Sequence, residues 1–320
     1  MANLKTVTRE YELLDGSRKI LVQRIGDGSI IKRFDRTPLP VKETDVVCPH
    51  FLELKWATGC PYDCAWCYLK GTLRFCATGT RPNIKPLAKV QQHVTAFLNC
   101  VHWTWELLNS GEIADSLMYE GNNMPFSKSI LPLFSTQKRH KLLFVTKSKN
   151  IRHFLANAYQ DWAVISFSLN ADLVAQEYEI GAPKVEQRIK AAEELSKAGY
   201  EVRVRIDPMV PVPYWEGHYL ALLDKIFSKF KPKRITLGSL RGLQSTINGA
   251  SQKSWVRYLS DRSNWGRRVD FNTRYLMYAK VIDYLQRESK YADIALCKET
   301  LGTWNKLNMD YRNIRCNCTF

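Results

Sequence analysis

The chain has 320 residues, of which 45% are hydrophobic, and a formal net charge of +16. This length and apolar content suit one large α/β domain with a tail, or two small domains. No run of about eighteen apolar residues occurs, and the polar start from Met1 to Glu10 does not resemble a signal peptide, so we expect a soluble, cytoplasmic protein without a membrane span. The positive charge favours a polyanionic partner, nucleic acid first, over a merely basic enzyme.

Short apolar segments alternate with helical patterns from Phe51 onward. The sequence predicts six strands, at Phe51–Trp56, Ala114–Tyr119, Lys141–Thr146, Trp162–Leu169, Glu201–Ile206 and Arg234–Gly238. It predicts helices at Val90–Leu108, Lys184–Ala198 and Tyr219–Phe230. Strands separated by helices indicate βαβ units with a parallel sheet, and about six units fit a barrel or an incomplete barrel.

The pattern changes on both sides of this repeating region. Residues 1–50 are predicted to be an N-terminal extension, residues 51–240 the partial barrel, and residues 241–320 a C-terminal segment. That last segment begins with a loop-like stretch from Arg241 to Gly266. A predicted helix at Asn272–Arg287 follows, and the chain ends in an irregular tail that bears cysteines.

The loop after the first predicted strand carries a C-x3-C-x2-C motif formed by Cys60, Cys64 and Cys67. Three close thiolates can hold three irons of a [4Fe–4S] cluster and leave the fourth iron open. The open iron can bind the amino and carboxylate groups of S-adenosylmethionine, whose reductive cleavage releases a 5′-deoxyadenosyl radical. A zinc site is the alternative, with Cys48 or Cys76 as the fourth ligand. Parallel barrels carry their chemistry on loops that follow the strands, as this loop does.

The motif, with Tyr68 directly after its third cysteine, resembles that of the radical S-adenosylmethionine superfamily. Further segments resemble the spore photoproduct lyase family in chain order over about residues 50 to 240. These segments begin at Thr58, Cys67, Gly111, Val145, Ser166, Gly181, Arg188, Ala198, Arg205 and Ile235. The resemblance implies a partial (β/α)6 TIM-like barrel of the radical S-adenosylmethionine type. It also implies an enzyme that acts on a thymine-dimer lesion in DNA.

The resemblance further implies roles for matching residues. Tyr68 corresponds to a tyrosine that packs near the cofactor and can pass a radical. Glu112 stands where many superfamily members bind the methionine amino group. The other residues expected to contact S-adenosylmethionine are Ser116, Lys147, Ser168 and Asn170.

One departure from the family concerns the hydrogen donor. The lesion-repair enzymes carry a donor cysteine near the second strand, whereas the corresponding stretch here, residues 113–117, has none. Cys316 and Cys318 in the tail are candidate donors if the tail folds over the barrel mouth. Together with Cys297 they are alternatively a second metal or cluster site, or simply packed thiols.

A basic and aromatic stretch follows the barrel. Cations bind phosphates, and exposed aromatic faces stack on bases. We expect nucleic-acid contacts from Arg257, Arg267, Arg268, Trp255 and Trp265. The alternative is a helix that packs its aromatic residues on the barrel, which is the better interpretation of Asn272–Arg287.

Two functional hypotheses follow. The first is a radical enzyme that acts on DNA or RNA, in lesion repair or base modification. The second is a radical enzyme that modifies a peptide, a protein or a small metabolite and uses the tail cysteines for an auxiliary cluster. Both require an electron donor such as flavodoxin or ferredoxin.

Overall fold

A computed structural model of the chain describes residues 4–100 and 104–320, and ten of its strands join in one sheet. These ten strands lie side by side in the sheet in the same order as they occur along the chain. In that order they are β1 Thr6–Glu12, β2 Arg18–Ile25, β3 Ile31–Phe34, β4 Phe51–Leu54, β5 Leu107–Asn109, β6 Lys141–Thr146, β7 Ala163–Ser168, β8 Glu201–Met209, β9 Arg234–Ser239 and β10 Ile294–Leu296.

The sheet has a parallel part and an antiparallel part. Strands β4 to β10 run parallel to one another, and β1 to β4 pair antiparallel. Strands β4 and β7 are buried along their whole length, as expected for strands covered on both faces. Because β1 and β10 form the two edges of the sheet, the barrel is open, and the expected partial TIM-like barrel is confirmed.

Helices lie between consecutive parallel strands, and one more follows β10. They are α1 Leu69–Thr72, α2 Leu87–Leu98, α3 Phe126–Phe134, α4 Arg152–Leu155, α5 Asp172–Tyr178, α6 Val185–Lys197, α7 Trp215–Phe227, α8 Gln244–Gly249, α9 Phe271–Arg287 and α10 Leu301–Lys306, with a 3₁₀ turn at Ser254–Tyr258. Helix α6 illustrates why these segments are helical. Its apolar residues Val185, Ile189 and Leu195 recur at helical spacing, and all three are buried. No helix in the described part of the chain combines the length and apolarity needed to cross a bilayer.

Short strand pairs tie the loops together. Val46–Val47 pairs with Glu299–Thr300, Ala57–Thr58 with Asn83–Ile84, and Asp63–Cys64 with Glu179–Ile180. A small three-stranded sheet contains Arg241–Gly242, Gly266–Arg268 and Asp261–Ser263, in that order.

The second parallel strand lies at Leu107–Asn109, so its prediction at Ala114–Tyr119 was wrong. Residues 114–119 form a loop, because the Asp115 carboxylate accepts hydrogen bonds from the backbone N–H groups of Leu117 and Lys147, at 3.0 and 2.7 Å. The helix expected at Val90–Leu108 is the shorter α2, and residues 101–103 lie outside the described residues.

Both flanking segments belong to the same sheet as the barrel. The N-terminal extension supplies β1 to β3, and the C-terminal segment supplies β10, a seventh parallel strand that the sequence pattern did not predict. The last five residues, 316–320, enter the barrel and are called the plug below. The Arg203 and Arg234 side chains, near the amino ends of β8 and β9, donate to the Thr319 carbonyl oxygen. The plug therefore occupies the barrel end opposite the cysteine loop.

Candidate active site

A cavity of about 490 Å³ extends from the cysteine loop to the plug. Cys60, Cys64 and Cys67 line it at one end, and Cys316 and Cys318 line it at the other. The strands thus bring together two groups of cysteines that are about 250 residues apart in the sequence.

The cysteine loop is anchored through its backbone. Gly59 has φ +83°, and a Cβ at this position would lie 2.2 Å from the Arg81 carbonyl oxygen, so only glycine fits. The next N–H, of Cys60, donates to the Thr80 carbonyl oxygen at 2.9 Å. Further along, the Ala65 N–H donates to the Tyr178 carbonyl oxygen at 2.8 Å.

The three loop cysteines fit an iron–sulfur cluster by their chemistry. All three are free thiols facing one cavity, and burial raises the pKa of each. A metal reverses that preference, because its positive charge stabilises the thiolate. Among residues 4–100 and 104–320, no three His, Cys, Asp or Glu side chains converge tightly enough for a single metal ion. A [4Fe–4S] cluster differs, since each thiolate binds a separate iron.

Four of the expected cofactor contacts line the cavity: Tyr68, Glu112, Lys147 and Ser168. Tyr68 follows the last cysteine and is 38% exposed. The Glu112 carboxylate lies 3.9 Å from the Lys298 ammonium. The Lys147 ammonium lies 3.7 Å from the buried Glu179 carboxylate. The cavity therefore contains a carboxylate and an ammonium group near the cysteine loop. These two groups complement the ammonium and carboxylate of an amino acid.

Two expected cofactor contacts, Ser116 and Asn170, do not line this cavity. Ser116 is completely buried, and its hydroxyl oxygen accepts hydrogen bonds from the Val145 N–H at 2.9 Å and the Ser110 hydroxyl at 3.0 Å. Asn170 is also buried, and its amide bonds to the Pro208 carbonyl oxygen and the Tyr219 hydroxyl. Both side chains hold the barrel together rather than lining the cavity.

Two charged residues of β8, and Arg241 just after β9, were not recognised from the sequence. Arg205 and Asp207 line the cavity, and Arg241 forms a two-point ion pair with Asp207, at 2.8 and 3.0 Å. That pair, despite burial, holds the pKa of Asp207 at about 2. The alternation along β8 could have revealed Arg205 and Asp207, because the residues that alternate with them, Val204 and Ile206, pack in the core.

Two tail cysteines accept hydrogen bonds from the arginines described above. The Arg205 guanidinium donates to the Cys318 sulfur at 3.0 Å, and Arg241 donates to the Cys297 sulfur at 3.6 Å. Cys48, from the N-terminal segment, also lines the cavity. The tail therefore does not fold over the barrel mouth, as the expectation for the tail cysteines required; it reaches the cavity from the end opposite the cysteine loop.

Two of the five expected nucleic-acid contacts are buried. Trp255 is completely buried, and its indole N–H donates to the Gln252 carbonyl oxygen, so its prediction as a stacking residue was wrong. Arg268 is equally buried in an ion pair with Glu299 at 3.0 Å, so its prediction as a phosphate contact was also wrong. Both side chains point into the protein, where Trp255 is hydrogen-bonded and Arg268 is paired with Glu299.

The other three residues of that stretch differ in exposure. Arg257 is exposed and lies over the Tyr258 ring. Arg267 is half-buried and donates to the Leu259 carbonyl oxygen. Trp265 lines the cavity, where its ring lies 4.5 Å from the Lys298 ammonium. Only Arg257 among the five is freely placed to meet a phosphate.

The fold and the cysteine loop together define a radical S-adenosylmethionine protein: an open parallel barrel with a C-x3-C-x2-C loop after its first strand. The family model described as spore photoproduct lyase matches residues 52–237. The chain therefore belongs to the spore photoproduct lyase family.

Individual relatives support this membership. Spore photoproduct lyase of Bacillus subtilis (strain 168) is 27% identical over 188 residues, which are 54% of this chain and 50% of that protein. Spore photoproduct lyase of Clostridium acetobutylicum is 25% identical over 190 residues, 57% of this chain and 54% of that protein. The chain thus spans about half the length of the curated relatives it matches.

Solved structures show the same fold. Spore photoproduct lyase complexed with dinucleoside spore photoproduct superimposes with a TM-score of 0.65 at 17% identity, over 77% of this chain and 75% of that one. Streptococcus suis SuiB bound to precursor peptide SuiA gives a TM-score of 0.50 at 16% identity, over 77% of this chain and 48% of that one.

Proposed function

We propose that this chain is a radical enzyme that binds a [4Fe–4S] cluster through Cys60, Cys64 and Cys67 and cleaves S-adenosylmethionine. The observation that supports it best is the single cavity that these cysteines share with charged and hydroxyl side chains. A bound cluster supplies the electron that breaks a C–S bond and releases the 5′-deoxyadenosyl radical.

The chain's own residues bind and orient the cofactor in this proposal. Glu112 accepts hydrogen bonds from the methionine amine, and Lys147 neutralises the carboxylate. Ser168 bonds to a ribose hydroxyl. Tyr68 packs beside the cofactor and shields the radical from water, since a closed, dry site prevents side reactions.

The tail supplies the hydrogen donor in this proposal. Cys318 gives a hydrogen atom to the product radical, with Cys316 beside it. The supporting observation is the position of both thiols in the same cavity as Tyr68. The alternative assignment of these thiols is a second metal or cluster at Cys297, Cys316 and Cys318, and a second cluster would raise the iron content above about four per chain.

The proposed substrate is a nucleic acid with a damaged or modified base. Three observations support it: the net charge of +16, the exposed Arg257, and the dinucleoside bound by the structural relative. A peptide or metabolite substrate is the alternative, and the likeness to the peptide-binding SuiB is one of fold. An acidic electron donor such as flavodoxin or ferredoxin is the proposed protein partner.

The central test is anaerobic reconstitution followed by reduction with S-adenosylmethionine. We expect about four irons per chain, because one cube holds four, and formation of 5′-deoxyadenosine. Cys64→Ala should abolish both, whereas Cys76→Ala, an exposed cysteine outside the cavity, should leave both unchanged. Iron binding without 5′-deoxyadenosine would refute the radical activity.

The substrate is tested with deuterated nucleic acid. Deuterium in 5′-deoxyadenosine would support hydrogen abstraction from it, and deuterium arising only from labelled peptide or metabolite extract would favour the alternative. Binding to nucleic acid should weaken with salt. Arg257→Glu should weaken it about 2–5-fold, whereas Lys190→Glu, an exposed charge reversal on α6, should change it little.

A further inference from the structure

A second cavity, of about 460 Å³, lies behind the wall that carries Cys318. It is bounded by the β1–β2 turn, the start of β5 and the plug. Five residues line both cavities and so form the shared wall: Cys48, Pro49, Phe51, Ile314 and Cys318. The Cys318 thiol can therefore be reached from both cavities.

Cys316 and Cys318 are two residues apart in the plug, and both line the main cavity. The Cys318 thiol hydrogen-bonds to the Cys316 sulfur, which lowers the pKa of Cys316 and raises that of Cys318. Two further N–H groups converge on the Cys318 sulfur, from Arg205 at 3.0 Å and Asn109 at 3.6 Å. Of the two thiols, Cys316 is therefore the one favoured as a thiolate, and Cys318 remains its protonated partner.

The two other thiols on the cavity walls lack this arrangement. Burial raises the pKa of Cys48 to about 12 and that of Cys297 to about 11, so both remain thiols at neutral pH. The Cys48 thiol donates to the Pro49 carbonyl oxygen. Among the four described thiols that face the cavity away from the cysteine loop, Cys316 alone has a lowered pKa, and Cys318 is its hydrogen-bond donor.

The second cavity has the character of a binding site for a small polar molecule. Lys19 and Arg312 are exposed at its rim, and Glu12 and Asp15 supply opposite charge. The Nδ1 atom of His50 is buried there without a hydrogen-bond partner among the described residues. A bound molecule with both charge signs would satisfy this lining.

We infer that Cys316 and Cys318 are a redox dithiol, oxidised from the main cavity and reduced by a small charged thiol that binds in the second cavity. The oxidising half rests on the proposed function. Two substrate radicals each take one hydrogen atom from the pair, which leaves a Cys316–Cys318 disulfide and two C–H bonds. Two external thiols then reduce this disulfide and leave as their own disulfide, so hydrogen atoms and electrons balance.

The experiment uses the full-length, cluster-loaded protein without S-adenosylmethionine, so it does not depend on radical formation. Diamide oxidation, alkylation and peptide mass spectrometry should find the C-terminal peptide lighter by two hydrogens, with Cys48 and Cys297 alkylated. A disulfide between other cysteines, or none, would overturn the inference. Cys316→Ser should abolish the mass change, and Cys76→Ser should not.

The route of reduction is tested by narrowing each cavity in turn. Leu14→Trp narrows the second cavity and Thr72→Trp the main one, because each residue lines only that cavity. We expect Leu14→Trp to slow reduction of the disulfide by glutathione at least about five-fold, with no effect of Thr72→Trp. The reverse pattern, or equal rates, would contradict the proposed route. Glutathione protection of Cys318 from alkylation in the parent protein provides a readout that needs no variant.

Failure of this inference is distinguishable from failure of the proposed function. If 5′-deoxyadenosine forms but the plug peptide never loses two hydrogens, only the dithiol inference fails. If the disulfide forms and is reduced but 5′-deoxyadenosine is absent, only the radical activity fails.

Discussion

The amide of Asn317 donates a hydrogen bond of 2.7 Å to the hydroxyl of Ser166, in the middle of β7. The same amide donates to the Val204 carbonyl oxygen of β8 at 2.9 Å, and its oxygen accepts from the Thr236 hydroxyl of β9 at 2.8 Å. One completely buried side chain therefore fixes the plug to three neighbouring strands. The positions of Cys316 and Cys318 in the cavity follow from this attachment.

Asn317→Ala should release the plug. The change leaves three buried polar partners unsatisfied, so we expect the free energy of unfolding to fall by about 2–4 kcal/mol. Urea denaturation measures this loss, and hydrogen exchange should show faster exchange in residues 316–320. Asn313→Ala is the matched control, because that exposed amide bonds only to Asp310 among the described residues, and its effect should stay below about 0.5 kcal/mol. Equal effects of the two changes would contradict the role of Asn317.

Most of the barrel could be predicted from the sequence, because its strands are apolar and regularly spaced. Strands β4 and β6 to β9 lie where predicted, and so do the cysteine loop and helix α6. The misplaced second strand reflects a side-chain interaction, since Asp115 binds its own loop and residues 114–119 merely alternate like a strand. Strand β10 has three residues and gives too short a pattern to recognise.

The candidate site was only partly predictable, for a different reason. Local motifs locate Cys60 and Tyr68, because these residues are close in the sequence. The position of Cys318 against Arg205 depends on the plug, which is 113 residues away in the chain. Burial of Trp255 and Arg268 likewise depends on partners that a one-dimensional pattern does not reveal.

Gly59→Ala should disrupt the cysteine loop. The added Cβ would lie 2.2 Å from the Arg81 carbonyl oxygen, and the positive φ angle adds strain, so the loop must move. We expect iron incorporation to fall at least about five-fold, as misplaced ligands lower affinity. Gly79→Ala tests strain alone, because Gly79 also has a positive φ but open space around its Cβ position. Its iron content should remain close to that of the parent, and a matching loss would disprove the steric explanation.

Replacement by Met should lower the stability of the protein at Arg268 and its affinity for nucleic acid at Arg257. Removing Arg268 leaves Glu299 with less compensation for its buried charge, so we expect a loss of about 3–5 kcal/mol in the free energy of unfolding. Arg257→Met should cost less than about 0.5 kcal/mol, because Arg257 is exposed. Its nucleic-acid affinity should decrease instead. Unfolding by denaturant and salt titration of binding separate the two effects, and weaker binding by folded Arg268→Met would restore its original assignment.

Glu120 should make the protein less stable as the pH rises. Its side chain is buried, and burial raises its pKa from 4.5 to about 7, although the Ser127 hydroxyl and N–H donate to the carboxylate. Between these two pH values the folded state keeps a proton that the unfolded state has lost. The stabilisation is thus complete below about pH 4.5 and is lost as the pH rises through about 7, a decrease of roughly 3 kcal/mol.

Glu120→Gln removes this titration and isolates its contribution. Relative to the parent protein, the variant should gain stability between about pH 4.5 and 7 and then keep a constant advantage of roughly 3 kcal/mol. Urea denaturation at half-unit pH intervals measures the difference. Glu186→Gln, at an exposed position on α6, controls for the loss of one negative charge. A difference between Glu120→Gln and the parent that does not vary with pH would show that Glu120 has the same pKa in the folded and unfolded states. In that case the bonds from Ser127 would fully offset the effect of burial on its pKa.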